Sequence, residues 1–153
     1  MRFAIDTNVL VSATFEDAPG HGEARAFLDA VLASDVPWCL AWVTIYEYLR
    51  VVTHARVFAR PLTWARAWSQ VSALLAHPRL ELLVETDRHR QCIEDTVALA
   101  GGATGNFVHD CHLASLMSEH DVRRIVTSDS HFRRFPGMES ALPAAARGDW
   151  MPA

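Results

Sequence analysis

Four acidic side chains sit where a folding chain would ordinarily avoid them: Asp6, Glu47, Asp110 and Asp129. Asp6 ends the run Arg2-Phe3-Ala4-Ile5, and Asp129 closely follows Arg124-Ile125-Val126-Thr127. Both runs read as short buried strands. Asp110 has Phe107, Leu113, Ala114 and Met117 at i−3, i+3, i+4 and i+7, the apolar stripe of a helix. Glu47 follows an apolar strand and falls early in the next helix. Carboxylates are seldom buried unless they are paired or bind metal. Gathered together they repel one another, and a hard divalent cation removes that penalty. Magnesium or manganese held this way suits phosphodiester hydrolysis, because it activates water and neutralises charge building on phosphate.

The elements that must position these acids alternate strand and helix, which predicts an α/β fold with a mainly parallel sheet. Strands are expected at about 2–6, 38–43, 80–84 and 124–127. Helices are expected at about 7–15, 21–34, 44–52, 63–76, 88–100 and 106–119. Thr7-Asn8 and Thr86-Asp87 read as caps, Thr44 reads as the opening of its helix, and Glu47 falls in the first turn. Residues 141–153, rich in Ala and Pro, read as a short edge strand plus a tail. In open parallel sheets, ligands bind outside the carboxyl ends of the strands. Asp6 and Asp129 fall at such ends and Glu47 and Asp110 near helix starts, so all four can share one rim. Each acid alone also fits a cap or a turn; their coincidence on one rim is what favours a site.

Other residues are read around that rim. Asn8, Thr44, Asn106, Thr127 and Ser128 can orient carboxylates or waters. His131 is read as an exposed neighbour of Asp129. Trp64 and Trp68 are read as core or dimer face rather than a base-stacking platform. Asp95, Asp121, Asp149, Glu94 and Glu119 are read as solvated charges. His109, Cys111 and His112 invite a zinc reading, but no second ligand pair stands at zinc-finger spacing, so zinc is not expected.

Composition narrows the classes. The 153 residues favour one domain, 1–153, with its core at about 2–140. Net charge is −4 and the pI about 6.0, unlike a general nucleic-acid coater. All 14 basic residues are arginine. Without lysine there is no P-loop lysine, no Schiff-base lysine and no receiver-type pocket. A phosphatase would want Asp-x-Asp after the first strand, where Asn8 takes the second place. An arginine-lined rim drawn from Arg123, Arg124, Arg133 or Arg134 is expected to attract RNA. Three scattered cysteines, no membrane-length apolar run and no evident secretory leader fit a cytoplasmic protein, with no membrane partner.

Four segments resemble the PIN-domain ribonucleases, and among them the VapC toxins. They are Ile5-Asp6-Thr7-Asn8-Val9-Leu10, Thr44-Ile45-Tyr46-Glu47, Gly105-Asn106-Phe107-Val108-His109-Asp110-Cys111-His112 and Thr127-Ser128-Asp129-Ser130-His131-Phe132. The resemblance implies a PIN-like three-layer sandwich with a mainly parallel five-stranded sheet. It implies a magnesium-dependent endoribonuclease (manganese also serving) whose metal-holding acids map onto Asp6, Glu47, Asp110 and Asp129, supported by Asn8 and Thr127. A homodimer, a VapB-type antitoxin and a structured RNA substrate such as tRNA or rRNA are implied as well. A nuclease outside toxin–antitoxin pairs and a non-catalytic RNA-binding module are the alternative readings. The sequence departs from the family at Ser130-His131, where a further acid is common.

Overall fold

A computed structural model describes residues 1–151; residues 152–153, the end of the expected tail, lie outside the described residues. Five strands form one sheet in the order β3-β2-β1-β4-β5: β1 (Phe3–Ile5), β2 (Trp38–Ala41), β3 (Leu80–Leu83), β4 (Arg124–Val126) and β5 (Glu139–Ala141). Every neighbouring pair is parallel. The α/β architecture with a five-stranded sheet is as expected, and the sheet is parallel throughout.

Helices cover both faces because the central strands are apolar on both. Phe3, Ile5, Trp38 and Leu40 point into one core, while Ala4, Cys39, Ala41 and Ile125 point into the other. On the first face lie α1 (Thr7–Thr14), α2 (His21–Ala33), α3 (Trp42–Val52) and α4 (Trp64–Leu75), with Val9, Phe27, Ile45 and Val71 inward. The second face holds α6 (Phe107–Glu119), whose Leu113, Ala114 and Met117 are buried, with α5 (His89–Leu99) packed beside it. All three cysteines are free, and Cys39 and Cys111 are buried. No helix among the described residues is long and apolar enough to cross a membrane.

Several local expectations change. The C-terminal stretch contains a helix, α7 (Pro143–Asp149), after the edge strand. Proline is pre-set for a first helical turn. Ala146 is fully buried, α7 packs on α2, and the Trp150 ring lies 6.2 Å from Phe3. Seven residues rich in alanine carry too little periodicity to announce this. The second strand ends at Ala41 and α3 begins at Trp42, so Glu47 lies in the second turn and Thr44 does not open the helix. Asp6, not Thr7-Asn8, caps α1, and its carboxylate accepts from Thr7 N–H at 2.7 Å. Arg88 holds the cap position of α5 without a side-chain bond of its own, while Thr86 Oγ1 accepts from Arg88 N–H at 3.2 Å and donates to Glu119. Trp64 is 59% exposed and stacks in parallel on Trp68, so neither belongs to the core.

Glu119 reverses its surface reading. Its side chain is fully buried and accepts from Thr86 N–H and Oγ1–H, both at 2.7 Å, and from His89 Nδ1 at 2.5 Å. Burial disfavours its charge, but these donors outweigh burial and hold the carboxyl below its ordinary range.

Candidate active site

The chain order of the sheet reverses at β1, which has β2 on one side and β4 on the other. This is the switch point at which parallel α/β sheets open a crevice. Ile5 is in register with Val126, and Asp6 N–H donates to the Val126 carbonyl at 3.0 Å. That pairing sets Asp6 beside Thr127 at the carboxyl edge of the sheet.

The Asp6 carboxylate, 8% exposed, is held by a closed polar network. Its Oδ2 accepts from Thr127 Oγ1 at 2.7 Å and Asn8 Nδ2 at 2.8 Å. Asn8 Nδ2 also donates to Thr127 Oγ1 at 3.0 Å, and Ser128 N–H donates to Asn8 Oδ1 at 3.0 Å. Asp129 N–H donates to Thr127 Oγ1 at 3.0 Å. Thr127 therefore links two of the candidate acids. Burial pushes Asp6 up from 3.8 to about 6; the bonds from Thr127 and Thr7 oppose this, and the charges of Asp110 and Glu47 add to it.

One cleft of about 1020 Å³ is lined by Asp6, Glu47, Asp110 and Asp129, with Asn8 and Asn106 also on its wall. The structure brings all four sequence-predicted acids together. Glu47 Oε2 accepts from Thr7 Oγ1 at 3.2 Å. Asp129 doubles as a cap, accepting from His131 N–H at 2.9 Å at the start of a 3₁₀ turn, Ser130–Arg134. Capping and site-building are thus not alternatives here. Burial also raises Asp110; the bond from His131 opposes the rise and the charge of Asp129 adds to it.

His131 is exposed as expected, yet its Nδ1 stands 3.1 Å from Asp110 Oδ2 and 3.3 Å from Asp129 Oδ2. It occupies the departure from the family pattern and bridges two acids. No spacing signal could have placed it there, because Asp110 and His131 lie on different elements. Thr44 does not orient a carboxylate. Its Oγ1 is buried without a partner among the described residues, and its carbonyl accepts from Thr7 Oγ1 at 3.4 Å.

Of the four arginines expected at the rim, Arg124 and Arg134 are engaged elsewhere. Arg124 opens β4, at the sheet edge opposite the acids, and pairs there with Glu139. Arg134 donates to the Ala100 carbonyl and lies over the Phe107 ring, 3.9 Å from its centroid. Among the described residues the cleft-lining arginine is Arg50, 4.0 Å from Glu47 across an exposed pair.

The sequence matches the family model of the PIN domain over residues 3–138. It is 34% identical over 141 residues to ribonuclease VapC37 of Mycobacterium tuberculosis, covering 92% of this chain and 96% of that one. The chain belongs to the PIN-domain family, among its VapC proteins. Ribonuclease VapC43 of the same organism is 35% identical over 135 residues, covering 86% of this chain and 88% of the other. Among solved structures, VapBC2 of Rickettsia felis, bound to a DNA fragment from its promoter, superposes on this PIN domain with a TM-score of 0.65. It shares 18% identity and covers 93% of this chain and 98% of that one. That likeness bears on the fold.

The donor set of this PIN domain fits a hard divalent cation. It offers carboxylate oxygens of matched charge, two of them in groups whose ionisation burial opposes. Thr127→Val keeps the shape but removes the hydroxyl that serves Asp6, Asn8 and Asp129. Such supporting contacts are worth about 10–100-fold in metal affinity or activity. The variant is expected to lose that much in divalent-metal affinity by isothermal titration calorimetry, while Thr127→Ser retains most of it.

Proposed function

We propose that this VapC-family chain is a Mg2+-dependent endoribonuclease, the toxin of a toxin–antitoxin pair, with Mn2+ able to substitute. The observation that carries the reading is the buried Asp6 carboxylate. It faces three further acids in one open cleft and is held by three neutral donors and no arginine. A chain that needed only a helix cap would not gather three more acids around it.

In this reading Asp6, Glu47, Asp110 and Asp129 hold the metal. A divalent ion there would lower the pKa of a water and neutralise charge developing on the scissile phosphate. The residues of the chain do the rest. Asn8 and Thr127 fix the Asp6 carboxylate, so that its orientation need not be organised at the moment of reaction. Asp110 is fixed by α6, and Asp129 by its own cap bond. Glu47, on α3 and tied to Thr7, approaches from the far wall and is suited to act through a water. Arg50, on the same wall, is placed to meet an RNA phosphate in the bidentate manner arginine favours.

The cleft is open and can admit a strand or loop of folded RNA, such as tRNA or an rRNA loop. The relatives' names support the ribonuclease activity, and solved neighbours with VapB partners support a VapB-type antitoxin. The exposed Trp64–Trp68 pair suits a homodimer face. A reducing cytoplasm suits the free thiols.

The test is brief induction followed by mapping of new RNA ends, comparing wild type with Asp110→Asn. Cleavage at a small set of sites, absent in the variant and restored to chelated wild-type protein in vitro by Mg2+, supports the reading. Equal cleavage by both proteins, or cleavage in excess chelator, overturns it.

A further inference from the structure

A second cluster of ligand-type side chains lies outside the cleft. Glu85 follows β3, His89 is the first residue of α5, and His112 is on α6. One donor atom from each lies within 4.8 Å of the other two. His112 Nε2 is 2.8 Å from Glu85 Oε1, and the two imidazole rings meet edge to face with centroids 5.3 Å apart. Side chains 100° apart per residue place His112 about 200° around α6 from Asp110, so this cluster faces away from the acidic cleft.

We infer that Glu85, His89 and His112 form a site for a zinc-class divalent ion, separate from the acidic cleft, in which the buried Glu119 carboxylate orients His89. Two imidazoles and one carboxylate are a donor set that zinc takes with a water in the fourth position. Imidazole favours zinc over magnesium; this cluster offers two imidazoles to one carboxylate, whereas the cleft offers four carboxylates with the His131 imidazole beside two of them, so the two sites differ in ligand chemistry.

Glu119 is the independent observation. Its side chain is fully buried, and it takes the Nδ1 proton of His89 at 2.5 Å while Thr86 supplies two further donors. That bond fixes the tautomer, leaving the His89 Nε2 lone pair free. A histidine that ligates zinc is held by a carboxylate in this way. A solvated histidine needs no such buried partner. For His112 to ligate through Nε2, the hydrogen that this nitrogen shares with Glu85 must leave it and the ring must carry its one hydrogen on Nδ1. The ion would then tie the end of β3 and the start of α5 to α6, the helix that carries Asp110.

Sequence spacing does not reveal this cluster because its ligands come from three separate elements. His109, the obvious neighbour of His112, lines the acidic cleft instead.

The experiment is equilibrium dialysis of the full chain against Zn2+ in excess Mg2+, with bound metal counted by elemental analysis. Wild type and Asp110→Asn should each retain one zinc, and His89→Ala and His112→Ala should retain none while keeping wild-type circular dichroism. Zinc should raise the Tm of wild type and leave that of His89→Ala unchanged. Absence of bound zinc in wild type overturns the inference. So does zinc lost in Asp110→Asn but kept in His112→Ala, which places the ion in the acidic cleft. Should the histidine variants not fold, Co2+ added to wild type decides. Intense visible d–d bands abolished by one equivalent of Zn2+ support the site; only the weak bands of six-coordinate Co2+ overturn it. None of these readouts depends on RNA cleavage, so the outcome is independent of the proposed ribonuclease activity.

Discussion

Asp6→Asn is expected to lower RNA cleavage by on the order of 10³-fold and to abolish growth arrest on induction, with the fold retained. Metal-held charge stabilisation supplies several kcal/mol in such sites, and about 4 kcal/mol corresponds to a factor of roughly 10³. Asparagine keeps the size of the side chain and can still cap α1, because one oxygen remains for the Thr7 N–H. What it cannot do is present a second oxygen to a cation or supply negative charge. The cost in stability is small because two effects oppose each other. The bonds that Thr127 and Asn8 donate to Oδ2 are lost or weakened, at about 1.5–3 kcal/mol for each bond to a charged group. Against this, a carboxyl held near 6 rather than 3.8 costs the folded state about 3 kcal/mol at neutral pH, and the neutral amide does not pay it. The net change is expected to be a loss of about 0–3 kcal/mol by chemical denaturation. Cleavage within tenfold of wild type would remove Asp6 from the metal centre and undo the proposed mechanism.

The parts of this site that were legible in the sequence are those in which one residue type does two jobs that agree. Asp6 and Asp129 are at once strand-end caps and rim acids, so placing the strands placed the acids. Phe3, Ala4 and Ile5 are apolar on both faces, which only a covered parallel strand requires. Asp110 stood out because its neighbours at helical spacing are all core residues. The parts that were not legible depend on contacts between elements distant in the chain. Glu119, the last residue of α6 and next to His120, has the local pattern of a solvated charge; only the packing of α5 on α6 buries it against Thr86 and His89. The same packing joins His112 to Glu85, 27 residues apart. Arg124 was misplaced for a simpler reason. Basic residues cluster near Asp129 in the sequence, but a strand runs between them, and its two ends lie on opposite edges of the sheet.

Relative to Asp6→Asn, chelated wild type is expected to lose stability as the pH rises from about 4 to about 6, and excess Mg2+ is expected to reverse the loss. The cause is the direction in which the site moves its acids. Asp6 titrates near 6 in the folded chain and near 3.8 when unfolded, chiefly through burial. Between those values the folded state keeps a proton that the unfolded state has released. Stability falls with pH wherever the folded state binds more protons. The full penalty, about 3 kcal/mol from Asp6 alone, is reached above about pH 6, and it is absent below about pH 4. Asp110, raised by its own burial, deepens the trend. A divalent ion binds only the ionised acids, so it adds most where the chelated protein has lost most. The difference in Tm with and without Mg2+ should therefore be near zero at about pH 4.5 and several degrees at about pH 7.5. Below pH 6, Mg2+ affinity should fall about tenfold or more per pH unit, since at least one proton competes for the site. In Asp6→Asn the pH slope of the chelated protein should flatten. Glu119, held low outside the cleft, contributes the opposite slope to both proteins, so the comparison decides: chelated wild type and Asp6→Asn with the same pH slope over this window would mean that Asp6 is not raised in the folded chain.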